Sequence, residues 1–380
     1  MKKALMVSTI MGFMACFERS DIKLLQDMGY EVHIACNVNI YASEERLRLL
    51  NELNVIKHHI PFTRRPISKD NITAYRELSA LIKKEGFDIV HSHTPVGGVL
   101  GRTAAHSCHV PVAMYTAHGF HFFKGCPIVN RLLFYPIEKF MSRWTDFLIT
   151  INNEDYQLAR ARFHAKSTNR IHGVGIDMDN FVVPAECRDA KRAELGLQES
   201  EIALISVGEL SKDKNHIEVL EAMKFLAPKG YKYFIAGRGS KREEYLKFIK
   251  TNGLEDAVQL LGFREDIPEL LRAADIYVFP SLVEGVSVAL MEAVATKLPV
   301  ACSEVRGNVD TVITEESYFP VDSPLQLAAV VENLCHMTEE EKDRLAEKNY
   351  QNLLKYRLSE VQKEMWEIYT AADELVEKRK

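Results

Sequence analysis

The chain of 380 residues has room for two domains of about 150–200 residues, and its 47% hydrophobic and 27% charged content is ordinary for a globular protein. A net charge of −5 and a pI near 6.3 argue against the broad basic face that duplex binding usually needs, but not against one local pocket for a small anion. The seven cysteines contain no Cys-x-x-Cys pair, which suits a reducing compartment rather than a disulfide framework or a zinc ribbon.

In chain order, the opening MKKALMVSTIMGFMACF imitates a signal peptide, with two lysines before an apolar run. No small-x-small cleavage signal follows, and a helical pattern begins directly, so we read the run as a buried first strand over Ala4–Ile10. Further strands are expected at Glu31–Cys36, Val55–Ile60, Asp88–His91, Val112–Thr116 and Asp146–Ile151. Helical patterns at Asn71–Lys84 and Val99–Cys108 separate them. His172 to Gly196 reads as a linker of glycine, proline and polar residues. Beyond it come strands at Ala203–Val207, Tyr233–Ala236, Val258–Leu261, Ile276–Phe279 and Pro299–Cys302. Thr338-x-x-Glu341 and Ser359-x-x-Gln362 are capping-box patterns that open C-terminal helices. The last of these places Val361, Met365, Ile368, Tyr369 and Ala372 on one apolar stripe, so it packs on something. No apolar run approaches the roughly 20 residues of a membrane span.

Short apolar strands between helices imply parallel sheets covered on both faces, and the pattern occurs twice. The fold class is α/β, with two doubly wound domains. Ligands of such sheets sit beyond the carboxyl ends of the strands, so the chemistry belongs in the loops that follow them.

The strongest such loop follows the strand at Ile276. It reads Pro280-Ser-Leu-Val-Glu284-Gly285-Val286-Ser287-Val-Ala-Leu-Met-Glu292, with a helix expected to open near Val286. Amide groups at a helix start favour a diphosphate, and Gly285 lets a ligand approach the backbone. Glu284 and Glu292 could accept hydrogen bonds from sugar hydroxyls on either side of it. Alone, such a glutamate pair is more often a helix-start charge and a solvated side chain; the strand, glycine and helix around it favour function.

This segment resembles the Glu-x7-Glu motif of retaining glycosyltransferases of family 4, in detail their bacterial capsular and exopolysaccharide branch, and the resemblance spans nearly the whole chain. It implies the GT-B fold, two facing Rossmann-like doubly wound parallel-sheet domains with a C-terminal helix crossing back to the first. The implied boundaries are 1–172 plus about 359–380 for an acceptor-side domain and 173–358 for a nucleotide-sugar domain. By resemblance, Glu284 contacts the donor sugar and Glu292 the ribose hydroxyls. The segment Val207-Gly-Glu-Leu-Ser-Lys-Asp-Lys214 resembles the family's phosphate loop, with Lys214 as its lysine. Glu209 stands where an arginine is usual, and a carboxylate cannot replace a guanidinium against phosphate. Arg238, Arg264 or a first-domain base could supply the missing cation.

Thr116-Ala-His118-Gly119-Phe-His121 follows a first-domain strand, where the family places a histidine near the donor. Histidine can donate to a leaving phosphate, and its usual proton affinity suits neutral pH. With His121 and His91-x-His93 it invites a zinc reading, yet no carboxylate or cysteine spacing completes a tetrahedral set, so no metal is expected. Gly12, in the loop expected after the first strand, matches the place where relatives bring glycine close to the donor phosphate. The Gly262-Phe263-Arg264 loop lies where relatives hold the base. On the acceptor side, Arg64, Arg65, His121 and Lys124, with Phe120, Phe122, Phe123 and Arg131, lie in first-domain loops. Two readings fit them: a lipid-diphosphate site, or aromatics filling the core with the basic residues in water.

The expected activity is transfer of a hexose or N-acetylhexosamine from a UDP-sugar, without cofactor, to a glycan or undecaprenyl-type lipid-linked acceptor in surface polysaccharide synthesis. The expected location is cytoplasmic, with peripheral contact to the inner membrane and no nucleic-acid partner. The competing readings are a sugar-nucleotide epimerase of the same fold and a non-catalytic partner subunit, for which the Glu209 departure is the best support.

Overall fold

In the computed structural model, which describes residues 1–40, 44–66 and 68–380, the chain divides into two compact units. Unit 1 comprises Met1–Gly175 with Leu358–Lys380, and unit 2 comprises Ile176–Arg357.

Unit 1 is built on a 7-stranded parallel sheet. Its strands are β1 (Lys2–Ile10), β2 (Tyr30–Asn37), β3 (Ile56–His59), β4 (Ile89–His93), β5 (Val112–Ala117), β6 (Phe147–Thr150) and β7 (Ser167–Arg170). They lie in the order β3-β2-β1-β4-β5-β6-β7. Strands β1, β4 and β5 are buried almost throughout, as strands of a sheet covered on both faces are.

Unit 2 carries a 6-stranded parallel sheet in the order β10-β9-β8-β11-β12-β13. Its strands are β8 (Ile202–Val207), β9 (Tyr231–Ala236), β10 (Val258–Gly262), β11 (Ile276–Phe279), β12 (Val300–Ser303) and β13 (Tyr318–Phe319). Apolar clusters cover both faces, one around Leu220, Tyr233 and Val331 and the other around Tyr277, Leu290 and Tyr356. The strand order reverses between β1 and β4 in the first sheet and between β8 and β11 in the second. At such a reversal neighbouring loops diverge and leave a crevice for a ligand.

Several local expectations need correction. The residues after β1 form a helix, Met11–Phe17, so Gly12 lies in a helical first turn rather than a loop. The helix after β11 opens at Val288, not near Val286, because Ser287 caps it by accepting from the Leu290 amide at 3.4 Å. The stretch taken as linker holds a 3-10 turn, Met178–Phe181, and a helix, Cys187–Glu194. Thr338 and Glu341 form the expected capping box, whereas the last helix begins at Leu358 and so encloses Ser359. That helix, Leu358–Arg379, belongs to unit 1 and buries Val361, Met365, Ile368, Tyr369, Ala372 and Val376.

Candidate functional site

At the reversal of the second sheet, the loop after β8 carries Lys214 and the loop after β11 carries Glu284. The Lys214 Nζ meets Glu284 Oε1 at 2.6 Å and lies 4.8 Å from the centre of the Phe279 ring. A backbone bond from the Leu282 amide to the Asp213 carbonyl, 2.8 Å, ties the loops together. Both side chains are partly exposed, so a ligand can reach them.

The turn at Glu284-Gly285 is held from a third loop, after β12. Arg306 is buried and donates from Nε to the Glu284 carbonyl at 3.0 Å. Gly307 has φ +82°, and a Cβ there would lie 2.2 Å from the Gly285 carbonyl oxygen, so only glycine fits this approach. Ser303 Oγ donates to the Ser281 carbonyl at 2.5 Å, and Asn308 Nδ2 to the Ser303 carbonyl at 3.0 Å. These bonds fix the backbone that presents Gly285, Val286 and Ser287.

Glu292 sits on the fifth residue of the Val288 helix, a little over one turn from its cap. Burial raises the Tyr277 phenol far above its usual value, and the negative charges of Glu292 and Glu284 add to that rise. Both carboxylates therefore stand within electrostatic reach of one buried hydroxyl, which links them in space. Arg264 is engaged elsewhere: its guanidinium bonds Asp266 and, at 2.7 Å, Glu194. Those carboxylates neutralise it and leave it poorly placed to replace the arginine that Glu209 displaces. Glu209 and Arg238 are exposed, with Arg238 5.5 Å from the Phe263 ring.

At the reversal of the first sheet the structure assembles a cluster that sequence spacing did not reveal. Glu18, just past the Met11–Phe17 helix, places Oε1 3.3 Å from His93 Nδ1 and 3.4 Å from His118 Nε2. The two ring nitrogens are 3.3 Å apart. Glu18 and His93 are buried, and His118 is partly exposed beneath the Phe13 ring, 4.7 Å away. Behind them, Tyr369 bridges Asp21 at 3.2 Å and His91 at 2.8 Å, and His91 reaches Thr116 at 2.8 Å.

Burial governs the protonation of this cluster. It lowers His118 to about 4 and His91 to about 3, and depresses His93 further. Burial, then the Asp21 charge, raises Glu18 well above the carboxylate range, and burial lifts Asp21 to about 7. His118 is therefore a neutral imidazole at neutral pH, not the half-charged group its usual proton affinity suggests. Glu18 supplies the carboxylate that sequence spacing lacked, and with His93 and His118 it makes a three-ligand set that could hold a metal ion.

Thr94, at the end of β4, has φ +63° and ψ 154°, a region almost reserved for glycine. Its Oγ1 holds Thr9 of β1 at 2.8 Å, so the strain lies at the crevice itself. The Gly12 amide donates to the Ile40 carbonyl at 3.0 Å and is thereby turned away from any phosphate. Arg64 and Arg65 are exposed, as are Lys124 and His121, whose ring packs 4.8 Å from Phe134. Phe120 and Phe122 are core residues stacked on one another, so the aromatic half of the acceptor-side expectation divides in favour of packing for these two. Sequence reasoning also missed Arg306, although its place after a strand end is the same signal that pointed to Glu284.

The chain therefore belongs to the class of two-domain Rossmann-like proteins, with a polar cluster at the reversal of each doubly wound sheet. The pattern described as glycosyl transferases group 1 matches residues 188–352, and that described as glycosyl transferase 4-like matches residues 6–153. EpsD of Bacillus subtilis (strain 168), which bears a glycosyltransferase name, is 34% identical over 388 residues, covering 100% of this chain and 99% of its own. The UDP-Gal:alpha-D-GlcNAc-diphosphoundecaprenol alpha-1,3-galactosyltransferase of Escherichia coli is 30% identical over 294 residues, 74% of this chain and 76% of its own. Anabaena Alr3699/HepE, solved in complex with UDP and glucose, superposes with a TM-score of 0.77 at 17% identity, covering 98% of this chain and 100% of that one. The chain belongs to the family 4 glycosyltransferases of the GT-B fold, and it is a transferase enzyme.

Proposed function

We propose that the protein moves a hexose or N-acetylhexosamine from a UDP-sugar to a glycan hydroxyl of an undecaprenyl-type lipid-linked acceptor, in surface polysaccharide synthesis, with retained anomeric configuration. The observation that carries this reading is the junction of Lys214 with Glu284 at the second sheet's reversal, on a turn braced by Arg306 and Gly307. In the resting protein the ammonium and carboxylate neutralise each other. An arriving diphosphate competes for the ammonium, and the released carboxylate then accepts hydroxyl protons from the donor sugar. Glu292 takes the ribose hydroxyls. Support for the donor and acceptor classes comes from the name of the Escherichia coli relative and from the UDP in the Anabaena structure.

In the proposed reaction the bond from the anomeric carbon to the diphosphate oxygen breaks, while the acceptor hydroxyl oxygen bonds that carbon on the same face. The hydroxyl proton passes to the departing phosphate. Lys214 and the amides at the Ser287-capped helix start stabilise the negative charge that grows on the leaving group. His118, neutral, offers a hydrogen bond rather than a charge. No step uses a metal.

Steady-state kinetics on purified variants tests the assignment. Glu284→Ala should lower kcat by about 10²–10³ with the fold intact, as loss of a contact tightened in the transition state does. Glu292→Ala should act mainly on the donor KM. Unchanged turnover in both would remove the site.

A further inference from the structure

The helix Ile128–Met141 presents a face that the fold leaves uncovered. Ile128 is 73% exposed and Leu132 71%, and Val129, Leu133, Ile137 and Phe140 are also exposed. At 3.6 residues per turn these six fall on one side of the helix. The opposite side is occupied: Phe134 packs on His121, Tyr135 on Phe122, and Glu138 and Met141 are buried. Large apolar side chains gathered on one surface helix signal an interaction site rather than the scattered exposure of an ordinary surface.

Charge decides the occupant. The helix carries one acid, Glu138, which is buried and bonded to Arg102 at 2.7 Å. Lys139 borders the apolar face, Arg143 follows the helix, and Lys124 precedes it. Arg143 lies 5.8 Å from the Phe140 ring, on the apolar face itself. An apolar stripe rimmed by cations fits an anionic bilayer, where the side chains enter the acyl boundary and the cations meet phosphate. A symmetric pairing of two copies through this face would set the same cations against one another, which disfavours a second copy. No described helix is long and apolar enough to cross a membrane, so the contact is a surface one.

We propose that the helix Ile128–Met141 docks the first unit onto an anionic membrane surface. This deepens the function proposed above, because a lipid-linked acceptor is met only at such a surface, and it rests on that reading only for that consequence. Flotation of the purified chain with phosphatidylglycerol-containing vesicles, compared with pure phosphatidylcholine vesicles, tests it. The wild type should float with the anionic vesicles and come off as salt is raised. Ile128→Glu with Leu132→Glu should cut binding by about tenfold or more, with the thermal midpoint kept, since both positions lie in solvent. Lys139→Glu with Arg143→Glu should abolish the preference for anionic lipid. Thermal shift with UDP is read in parallel, so that loss of UDP binding speaks against the donor site alone, and loss of flotation against the docking helix alone. The proposal is overturned if the wild type fails to float, if the glutamate variant floats equally well, or if sedimentation shows a dimer that this variant dissolves.

Discussion

Glu18, His93 and His118 form a triangle with edges of 3.3–3.4 Å, close to the ligand spacing around a tetrahedral zinc ion. Electrostatics favours another state. Burial raises Glu18 and lowers His93 and His118, so it pushes each group toward its uncharged form, and a protonated carboxyl can donate to either ring. A neutral acid in this role can be replaced by its amide, whereas a metal ligand cannot. Glu18→Gln should therefore keep turnover within about threefold of the wild type, and exhaustive chelation should leave transfer unchanged. Kinetics with elemental analysis before and after chelation decides. Stoichiometric zinc, lost together with activity, would make the trio a metal centre.

Between elements, one contact that holds the exposed helix Ile128–Met141 to its domain is the buried Arg102–Glu138 pair. Arg102 lies on the helix Pro95–Ser107, which approaches the sheet so closely that a Cβ at Gly98 would lie 2.4 Å from the Tyr115 ring. Its guanidinium stacks 3.8 Å from that ring and donates to the Gly98 carbonyl at 2.8 Å and to Glu138 at 2.7 Å. Removing one partner strands the other charge inside, so Arg102→Ala should cost about 3–5 kcal/mol. Arg102→Met with Glu138→Gln should recover part of the loss, because neither residue is then a buried ion. Urea unfolding followed by fluorescence measures both, and equal losses in the two would refute the argument.

This pair also marks where sequence reading stops. The strands β1, β4, β5, β8, β9 and β11 were legible because buried parallel strands are short apolar runs. Strand β7, Ser-Thr-Asn-Arg at the sheet's edge, has no such run, and β13 spans only Tyr318–Phe319. The helix after β11 starts two residues beyond the expected Val286 because the Ser287 side chain caps it there. Glu284, Lys214 and His118 were legible as residues that follow strands within recognisable motifs. Glu18 was not, since the topology alone carries it to partners that lie far along the chain. The upward shift of Glu18 and the neutral state of His118 come from burial, which no spacing encodes.

At the scale of the molecule, the last helix returns the chain to the unit in which it began. Leu358–Arg379 closes unit 1 through Tyr369, which bonds His91 at 2.8 Å, and through ion pairs of Asp373 with Lys2 at 2.6 Å and Arg379 with Asp146 at 2.7 Å. Burial of Val361, Met365, Ile368, Tyr369, Ala372 and Val376 contributes on the order of 10 kcal/mol of apolar transfer, comparable with the whole stability of a domain. A chain ended after Arg357 should therefore lose the folded first unit while unit 2, Ile176–Arg357, keeps its own core. The optical assignment is simple: the two tryptophans, Trp144 and Trp366, both belong to unit 1, and Trp144 survives the truncation. Its fluorescence should show no cooperative urea transition, or one at much lower urea, while circular dichroism retains a transition that UDP shifts upward, because a ligand bound only by the folded form adds to its stability. A truncated chain whose Trp144 transition stays at the full-length midpoint would mean that the helix is an ornament of unit 1 and not part of its core.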